Sequence, residues 1–287
     1  MKLFRILFCF LLLAGTMAAS PFPMLSAEDP ELLTDAQKLQ RAAAPLLEDL
    51  PEEPIRKLEA IHDRLLACLS YREGPAQPGD NTEAALINGY GVCDGYSRSF
   101  QYLCSQAGIP CRVIKGSSIR RIPHSWNMVF LDGEWLYVDT TWDESSNERP
   151  YHDYFLVSLK EMQRDHFPDG TPFLPDGSGP GYYEQLGYTV KADSPSLKED
   201  FAKAFAKQFR DFPPEKPGPV FLEVKLLGEP YLESRKAFQQ NIYPILGDIH
   251  KILKNTDTLY TIQTYGAIEY HFNDATHVLT LYPVAVK

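Results

Sequence analysis

The sequence predicts a globular fold that mixes helices with β-strands, and three patterns support this prediction. In the first half of the chain, apolar residues recur at intervals of three and four, as in amphipathic helices. Two alternating segments on either side of Asp132-Gly133 predict a β-hairpin. After residue 196 the sequence predicts helices at 196–209 and 231–253, and strands at 220–226, 259–264, 267–272 and 277–282. With 287 residues, 44% of them hydrophobic, the chain can form one large domain or two smaller ones.

The first twenty residues have the layout of a secretory signal peptide. Lys2 and Arg5 precede an apolar run over residues 6–14, and small residues follow. Since this run is too short to span a bilayer, we expect a secreted or extracytoplasmic protein with no stable membrane insertion after cleavage. An uncleaved signal anchor is the alternative. Residues 21–34, rich in Pro, Ser, Asp and Glu, predict a linker.

The charge and the cysteines exclude several classes of function. A net charge of -10 argues against nucleic acid or anionic lipid as the main partner, because either needs a basic surface. Four cysteines outside the leader are too few for a disulfide framework in so long a chain, and none has zinc-ligand spacing. We therefore expect no cofactor and no metal. Cys104 and Cys111 could be bridged or could each be buried as free thiols.

Helices are predicted ahead of a central cysteine. One begins at Asp35, a second follows Pro54, and a short one follows Thr82. Cys93 then begins a further helix, which ends before Pro110. At a helix N-terminus the unpaired amides and the macrodipole favour an anion, and hence a thiolate. A lone cysteine is more often a small buried hydrophobe, so Cys93 needs partners before it predicts catalysis.

The hairpin supplies those partners. If Asp132-Gly133 forms a two-residue turn, Asp139 lies opposite Trp126. His124 and Asp139 are then diagonal neighbours on one face, about 7–8 Å apart at the backbone. A three-residue loop would place them on opposite faces. With the Cys93 thiol as nucleophile, His124 as base and Asp139 as orienting group, the chain offers the three residue types of a catalytic triad.

Five segments carry a resemblance to a known family. They are Gly91-Val92-Cys93-Asp94-Gly95-Tyr96, Gly108-Ile109-Pro110-Cys111-Arg112-Val113, His124-Ser125-Trp126-Asn127, Asp132-Gly133-Glu134-Trp135 and Val138-Asp139-Thr140-Thr141-Trp142-Asp143. In this order they resemble the transglutaminase-like superfamily, in its bacterial secreted branch, over residues 55–170. The resemblance implies a papain-like α+β core, in which the helix carrying the cysteine packs on an antiparallel sheet. It also implies acyl transfer through a thioester to water or an amine.

Other residues near Cys93, His124 and Asp139 have more than one possible role. Tyr90, Trp126 and Trp142 are candidate substrate-binding residues, although their positions favour a turn-forming role for Tyr90 and core packing for the tryptophans. The backbone amide of Cys93 is one natural oxyanion donor, and the second donor is left open. His62 and His166 match the family pattern, and we expect both to be hydrogen-bonded structural histidines. All of these assignments are expectations.

The predicted organisation has a signal peptide (1–20), a linker (21–34), a catalytic domain (35–170), a second linker (171–195) and a small α/β accessory domain (196–287). We expect an exported cysteine enzyme that acts on peptides or proteins of the cell envelope, by hydrolysis rather than by cross-linking. The alternative is a binding or scaffold module that keeps the core without turnover. A wall peptidase of another cysteine-histidine family would carry a different motif around its cysteine.

Overall fold

A computed structural model describes most of the chain after residue 32. The described residues are 33–72, 74, 75, 77–145, 150–170, 173–211, 222–228, 235–237, 239, 240, 244 and 267–284. The predicted signal peptide, nearly all of the first linker, most of the helix predicted at 231–253 and the strand predicted at 259–264 lie outside them. Among the described residues, no helix combines the length and apolar character that crossing a bilayer requires.

The chain divides into two compact units. The first contains the residues up to Pro150, together with 154–159 and 165–177. The second contains 151–153, 160–164 and the residues from 178 onwards. Part of the predicted second linker is folded, since it holds a short helix and a strand that are described below. The domain bounds themselves stay predictions.

The first unit begins with helices. They are α1 (Asp35–Leu47), α2 (Pro54–Cys68), α3 (Ala85–Asn88) and α4 (Cys93–Gln106), with the two-residue strands β1 (Ser70–Tyr71) and β2 (Tyr90–Gly91) pairing in parallel between them. Thr34 begins α1 with a capping box, in which its side chain and that of Gln37 each accept a bond from the other's backbone. Gly89 ends α3 in the left-handed conformation, at φ 72°.

An antiparallel sheet of five strands completes this unit. Its strands are β3 (Cys111–Ser118), β4 (Pro123–Leu131), β5 (Glu134–Val138), β6 (Phe155–Val157) and β7 (His166–Pro168), in the order β6-β5-β4-β3-β7, with the short helix α5 (Leu159–Met162) between the last two in sequence. Asp132 and Gly133 both have positive φ, 49° and 91°, as a two-residue hairpin turn requires. Leu131 therefore pairs with Glu134, and the predicted register is confirmed.

Helix α4 packs on this sheet and fixes the position of its own first residue. Tyr96, Phe100 and Leu103 are fully buried, and each contributes about 1.5–3 kcal/mol by leaving water. Near the start of the helix, a Cβ on Gly95 would lie 2.0 Å from the carbonyl oxygen of Asp80, so only glycine fits there. The arrangement confirms the α+β class, with the helix that carries the cysteine packed on an antiparallel sheet.

The second unit has its own sheet and core. Its elements are α6 (Tyr182–Leu186), β8 (Thr189–Lys191), α7 (Leu197–Asp211), β9 (Leu222–Leu227), β10 (Ala267–Asn273) and β11 (Val278–Val284). The sheet order is β10-β11-β9-β8, with β8 parallel to β9 and the other pairs antiparallel. Phe201 and Phe205 of α7 are fully buried among apolar residues of the sheet. The helix and the strands predicted for the described parts of this region are present, with bounds shifted by one or two residues.

Candidate active site

Cys93 is the first residue of α4, as the sequence predicted. Val92 precedes it in an extended conformation, and no side chain caps the amides of the first turn. The Val92 amide donates to the Asp80 carbonyl at 2.9 Å, which ties the chain down just before the cysteine. Cys93 is a free thiol and partly exposed. A partly exposed thiol at an uncapped helix start combines access for a substrate with a local field that favours an anion.

His124 and Asp139 meet as the hairpin register predicted. The Nε2 atom of His124 lies 2.6 Å from Oδ2 of Asp139, and both side chains are buried. The Cys93 thiol interacts with His124 and contributes to the raised pKa of its imidazole. Because Nε2 faces the carboxylate, Nδ1 is the ring atom left for the thiol. The three predicted residues therefore interact with one another, and their roles as nucleophile, base and orienting group stay predictions.

Charge on Asp139 determines the protonation of His124. Burial alone would lower the pKa of His124, but the charge and hydrogen bond of Asp139, with a smaller effect from Cys93, raise that pKa to about 10. Burial would likewise raise the pKa of Asp139, but His124 and His166 lower it below its ordinary value. At neutral pH the pair is therefore an imidazolium and a carboxylate, the state that stabilises a neighbouring thiolate.

Asp139 accepts hydrogen bonds on both of its oxygens. Oδ1 accepts from the backbone amides of Thr141 at 2.9 Å and Trp142 at 3.3 Å. Oδ2 accepts from His124 at 2.6 Å and from Nε2 of His166 at 2.9 Å. A fully buried carboxylate with donors on both oxygens is stabilised in its ionised form.

His166 joins the site from β7, two strands away from β4. Its ring is fully buried, and Nδ1 lies 2.7 Å from Oδ1 of Asp165, whose Oδ2 accepts from the Tyr154 hydroxyl at 2.5 Å. The expectation of a hydrogen-bonded histidine is met, but its direct contact with Asp139 was missed. A three-residue strand that pairs with Ser118 leaves no periodicity from which this contact could be predicted.

The predicted substrate-binding residues lie in different surroundings. Trp126 is 1% exposed and packs against His124 and His166. Trp142 is partly exposed and stacks on His124, with ring centroids 5.3 Å apart. Tyr90 is 37% exposed, and the guanidinium of Arg72 lies 4.8 Å above its ring. Their substrate-binding role stays a prediction.

Asp94 ties the start of α4 to the sheet, a role that the sequence did not reveal. Ser125 donates to its Oδ1 at 2.7 Å, and the Lys115 ammonium donates to its Oδ2 at 2.8 Å. One turn along the helix, Nδ2 of Asn127 donates to the Ser97 carbonyl at 2.9 Å. Because Ser125 follows His124 directly, these bonds fix the cysteine helix against the strand that carries the base.

A further histidine–carboxylate contact, between His62 and Asp143, supports the loop after Asp139. His62 is fully buried, with Nε2 3.2 Å from Oδ2 of Asp143 and Nδ1 3.0 Å from Oδ1 of Asp63. The other oxygen of Asp143 accepts from the backbone amide of Tyr154 at 2.8 Å. His62 is thus a hydrogen-bonded structural residue, as expected.

Three potential metal ligands lie together in the site. One ligand atom each from His124, Asp139 and His166 falls within 4.8 Å of the others. The Nε2 atoms of both histidines already contact the carboxylate of Asp139. The contacts observed are those of a hydrogen-bonded cluster, and the expectation of no metal stays a prediction.

Comparisons with known proteins find one family. The transglutaminase-like superfamily matches residues 42–140. Kyphoscoliosis peptidase from Mus musculus is 32% identical over 96 residues, which cover 27% of this chain and 14% of that protein. Lim and transglutaminase domain protein ltd-1 from Caenorhabditis elegans is 38% identical over 120 residues, which cover 31% of this chain and 16% of that protein. Each match thus covers a small part of the relative's own length.

Two solved structures are also similar to this chain. One is a TGase, at 13% identity and a TM-score of 0.35, covering 59% of this chain and 44% of that one. The other is described as a candidate cysteine protease from Cytophaga hutchinsonii, at 17% identity and a TM-score of 0.33, covering 50% of this chain and 56% of that one.

Proposed function

We propose that the chain, whose residues 42–140 match the transglutaminase-like superfamily, is a cysteine acyl-transfer enzyme that cleaves or exchanges amide bonds through a thioester on Cys93. The observation that carries this proposal is the contact between His124 and Asp139, at 2.6 Å, together with the effect of the Cys93 thiol on the pKa of His124. The match to kyphoscoliosis peptidase supports a peptidase-type reaction.

The proposed reaction begins with the thiolate of Cys93 and the imidazolium of His124. The sulfur attacks an amide carbonyl carbon, and the C–S bond forms as the C=O electrons move to oxygen. The backbone amide of Cys93 is the natural donor to that oxyanion. When the C–N bond breaks, His124 gives its proton to the leaving nitrogen, and ammonia or an amine departs.

Deacylation reverses these roles. His124, now neutral, takes a proton from an incoming water or amine, which attacks the thioester carbon and expels the thiolate. Asp139 keeps the imidazole oriented and stabilises its positive charge in both half-reactions. We propose water as the usual acceptor, because water is always present whereas an amine site must be built.

The proposed setting is the cell envelope. Residues 1–20 resemble a signal peptide, and the acidic chain is unsuited to nucleic acid, so peptides or proteins outside the cytoplasm are the proposed substrates. Expression of the full chain with its leader, followed by N-terminal sequencing of the product and fractionation of the cells, tests this setting. A product that keeps its first twenty residues and stays in the cytoplasm contradicts export.

Two assays test the chemistry. The purified protein is incubated with peptide libraries, with and without a labelled primary amine, and the products are identified by mass spectrometry. We expect hydrolysed products that are lost in Cys93→Ala and retained in Cys111→Ala, a matched control at a second partly exposed thiol. Iodoacetamide at pH 6 should alkylate Cys93 faster than free cysteine. Activity that persists in Cys93→Ala, or alkylation no faster than that of free cysteine, contradicts the proposal.

A further inference from the structure

We propose that His166 is a positioning residue of the site: it is held as an imidazolium between Asp139 and Asp165, and from there it fixes the carboxylate that orients His124. Its protonation is inferred from the hydrogen-bond geometry with both carboxylates ionised, and does not depend on turnover. Its effect on turnover rests on the proposed function.

Both ring nitrogens of His166 face carboxylates. Nε2 of His166 lies 2.9 Å from Asp139, and Nδ1 lies 2.7 Å from Asp165. An ionised carboxylate only accepts hydrogen bonds, and a neutral imidazole has one N–H group. Both contacts can be hydrogen bonds to carboxylates only if both ring nitrogens carry protons. The ring is 0% exposed, so bulk water does not reach the nitrogen that a neutral ring would leave facing an anion.

The surroundings of Asp165 agree with this reading. Its Oδ2 accepts the hydroxyl proton of Tyr154 at 2.5 Å, while Oδ1 faces His166, so donors engage both oxygens. Burial would lower the pKa of His166, but its hydrogen bonds to Asp139 and Asp165 outweigh this effect and raise the pKa above its ordinary value.

Charges of alternating sign therefore run through the buried site. The order is His124, Asp139, His166 and Asp165, and the two imidazole rings are 5.3 Å apart between centroids. The ring of His166 is otherwise surrounded by aromatic side chains. These are Trp126, Trp142 and Tyr154, with ring centroids at 5.0, 4.4 and 5.3 Å. This environment excludes water, so charge on one member acts strongly on the next.

Two effects on catalysis follow. The bond from His166 prevents rotation of the Asp139 carboxylate, and this preserves the orientation of His124. The positive charge of His166 also offsets part of the attraction of Asp139 for the His124 proton, which His124 must release to the leaving nitrogen. Since His166 is fully buried, we expect no contact with the substrate, and its loss should lower kcat and leave KM unchanged.

Nuclear magnetic resonance tests the protonation without any substrate. Two-bond ¹H–¹⁵N spectra distinguish imidazolium from neutral imidazole, and His166 is assigned by the signal that His166→Gln removes. We expect both nitrogens of His166 to be protonated at pH 7.5. In Asp165→Asn, which removes one anionic partner, the His166 titration midpoint should fall. A neutral His166 ring at pH 7.5 in the wild type overturns the proposal.

Kinetics test the positioning role. His166→Phe keeps the ring volume and removes both donors, whereas His166→Gln keeps one donor toward Asp139. We expect kcat to fall by about tenfold to a hundredfold in His166→Phe, with a smaller fall in His166→Gln and KM within about twofold in both. The control is Phe167→Ser, on the same strand with a side chain 47% exposed, which should leave kcat unchanged.

The pH dependence gives a readout that a packing role would not change. Without the charge of His166, the titration midpoint of His124 should rise by roughly one to two pH units, as expected for unit charges at this separation. Should His166→Phe fail to fold, His166→Gln carries the same test. An unchanged His124 midpoint with an unchanged kcat overturns the positioning role. If only the proposed function is wrong, activity will survive in Cys93→Ala and His166 will still be an imidazolium.

Discussion

Two aspartates, one in each unit, are buried to a similar degree and both contact a histidine. Their carboxylates nevertheless accept different numbers of hydrogen bonds. Asp139 is 0% exposed and accepts four hydrogen bonds, divided between its two oxygens. Asp153 is 3% exposed and accepts two, both on Oδ2, from Nε2 of His271 at 2.9 Å and from Nδ2 of Asn273 at 3.0 Å. Its Oδ1 is buried and has no hydrogen-bond partner among the residues that the structure describes.

The pKa values of Asp139 and Asp153 differ in the direction that their hydrogen-bond donors predict. Burial raises the pKa of Asp153, and its bonds to His271 and Asn273 do not compensate fully, whereas the two imidazoles reverse the effect of burial at Asp139 and lower its pKa. A histidine contact therefore does not by itself lower the pKa of a buried carboxylate. At Asp139, donors on both oxygens favour the negative charge that faces His124. No cysteine follows Cys111, so the second unit also lacks a thiol that such a pair could activate.

The largest contrast is expected from removing each charge in turn. Asp139→Asn should lower kcat/KM by about 10⁴-fold, because the amide no longer stabilises the His124 imidazolium or its tautomer. Asp153→Asn is the matched control and should leave kcat/KM within about twofold. Alkylation of Cys93 at pH 6 gives the same comparison without a substrate. Equal losses in the two variants would remove the distinction between the two carboxylates.

The second contrast lies in the pH dependence of folding. The pKa of His124 is raised from 6.5 to about 10, so its stabilising effect is fully present below pH 6.5 and is lost as the pH rises through about 10. Across that window, unfolding free energy from urea titrations should fall by up to about 1.4 kcal/mol per pH unit. His124→Gln should remove the part of this decline that His124 causes, and the part due to the raised pKa of His166 should remain. His271→Gln, at a side chain 41% exposed, should leave most of it.

A third comparison follows the two carboxyl groups directly. In ¹³C spectra, the Asp139 resonance should keep its ionised position down to pH 4, whereas Asp153 should titrate with a midpoint above the ordinary 3.8. The signs for stability are opposite. Asp139 stabilises the fold above pH 3.8 and loses this effect as the pH falls through its lower pKa, while ionisation of Asp153 opposes folding as the pH rises. Coincident midpoints would contradict the role given to the donors.

The parts of the site that depend on neighbouring residues in the chain could be predicted from the sequence. Asp132-Gly133 is a strong hairpin signal, and a two-residue turn fixes the parity that brings His124 and Asp139 to one face. The start of α4 at Cys93 follows from helical periodicity ended by Gly108 and Pro110. In both cases the information lies within a few residues of the feature that it determines.

The parts that were missed depend on pairings between distant residues. His166 reaches Asp139 because β7 pairs with β3, a contact between three-residue stretches with no pattern of their own. Asp94 anchors α4 through Ser125 and Lys115, which no spacing rule connects. The helix and strand inside the predicted linker 171–195 are short and rich in neighbouring glycines, so the composition resembled a loop.

The smallest expected effect comes from weakening Asp153 further. Asn273→Asp removes the Nδ2 donor and adds a like charge, while its oxygen can still accept from the amides of Ala275 and Thr276, as Oδ1 of Asn273 does at 2.9 and 3.1 Å. The midpoint of Asp153 in ¹³C spectra should rise by up to about one unit, since like charges disfavour ionisation. The unfolding free energy at pH 7.5 should fall by about 1 kcal/mol.

Cys93 alkylation should be unchanged, because Asp153 does not orient His124. A slower alkylation in Asn273→Asp would mean that the Asp153 carboxylate acts on the Cys93 site after all, and the contrast between the two aspartates would then be one of degree.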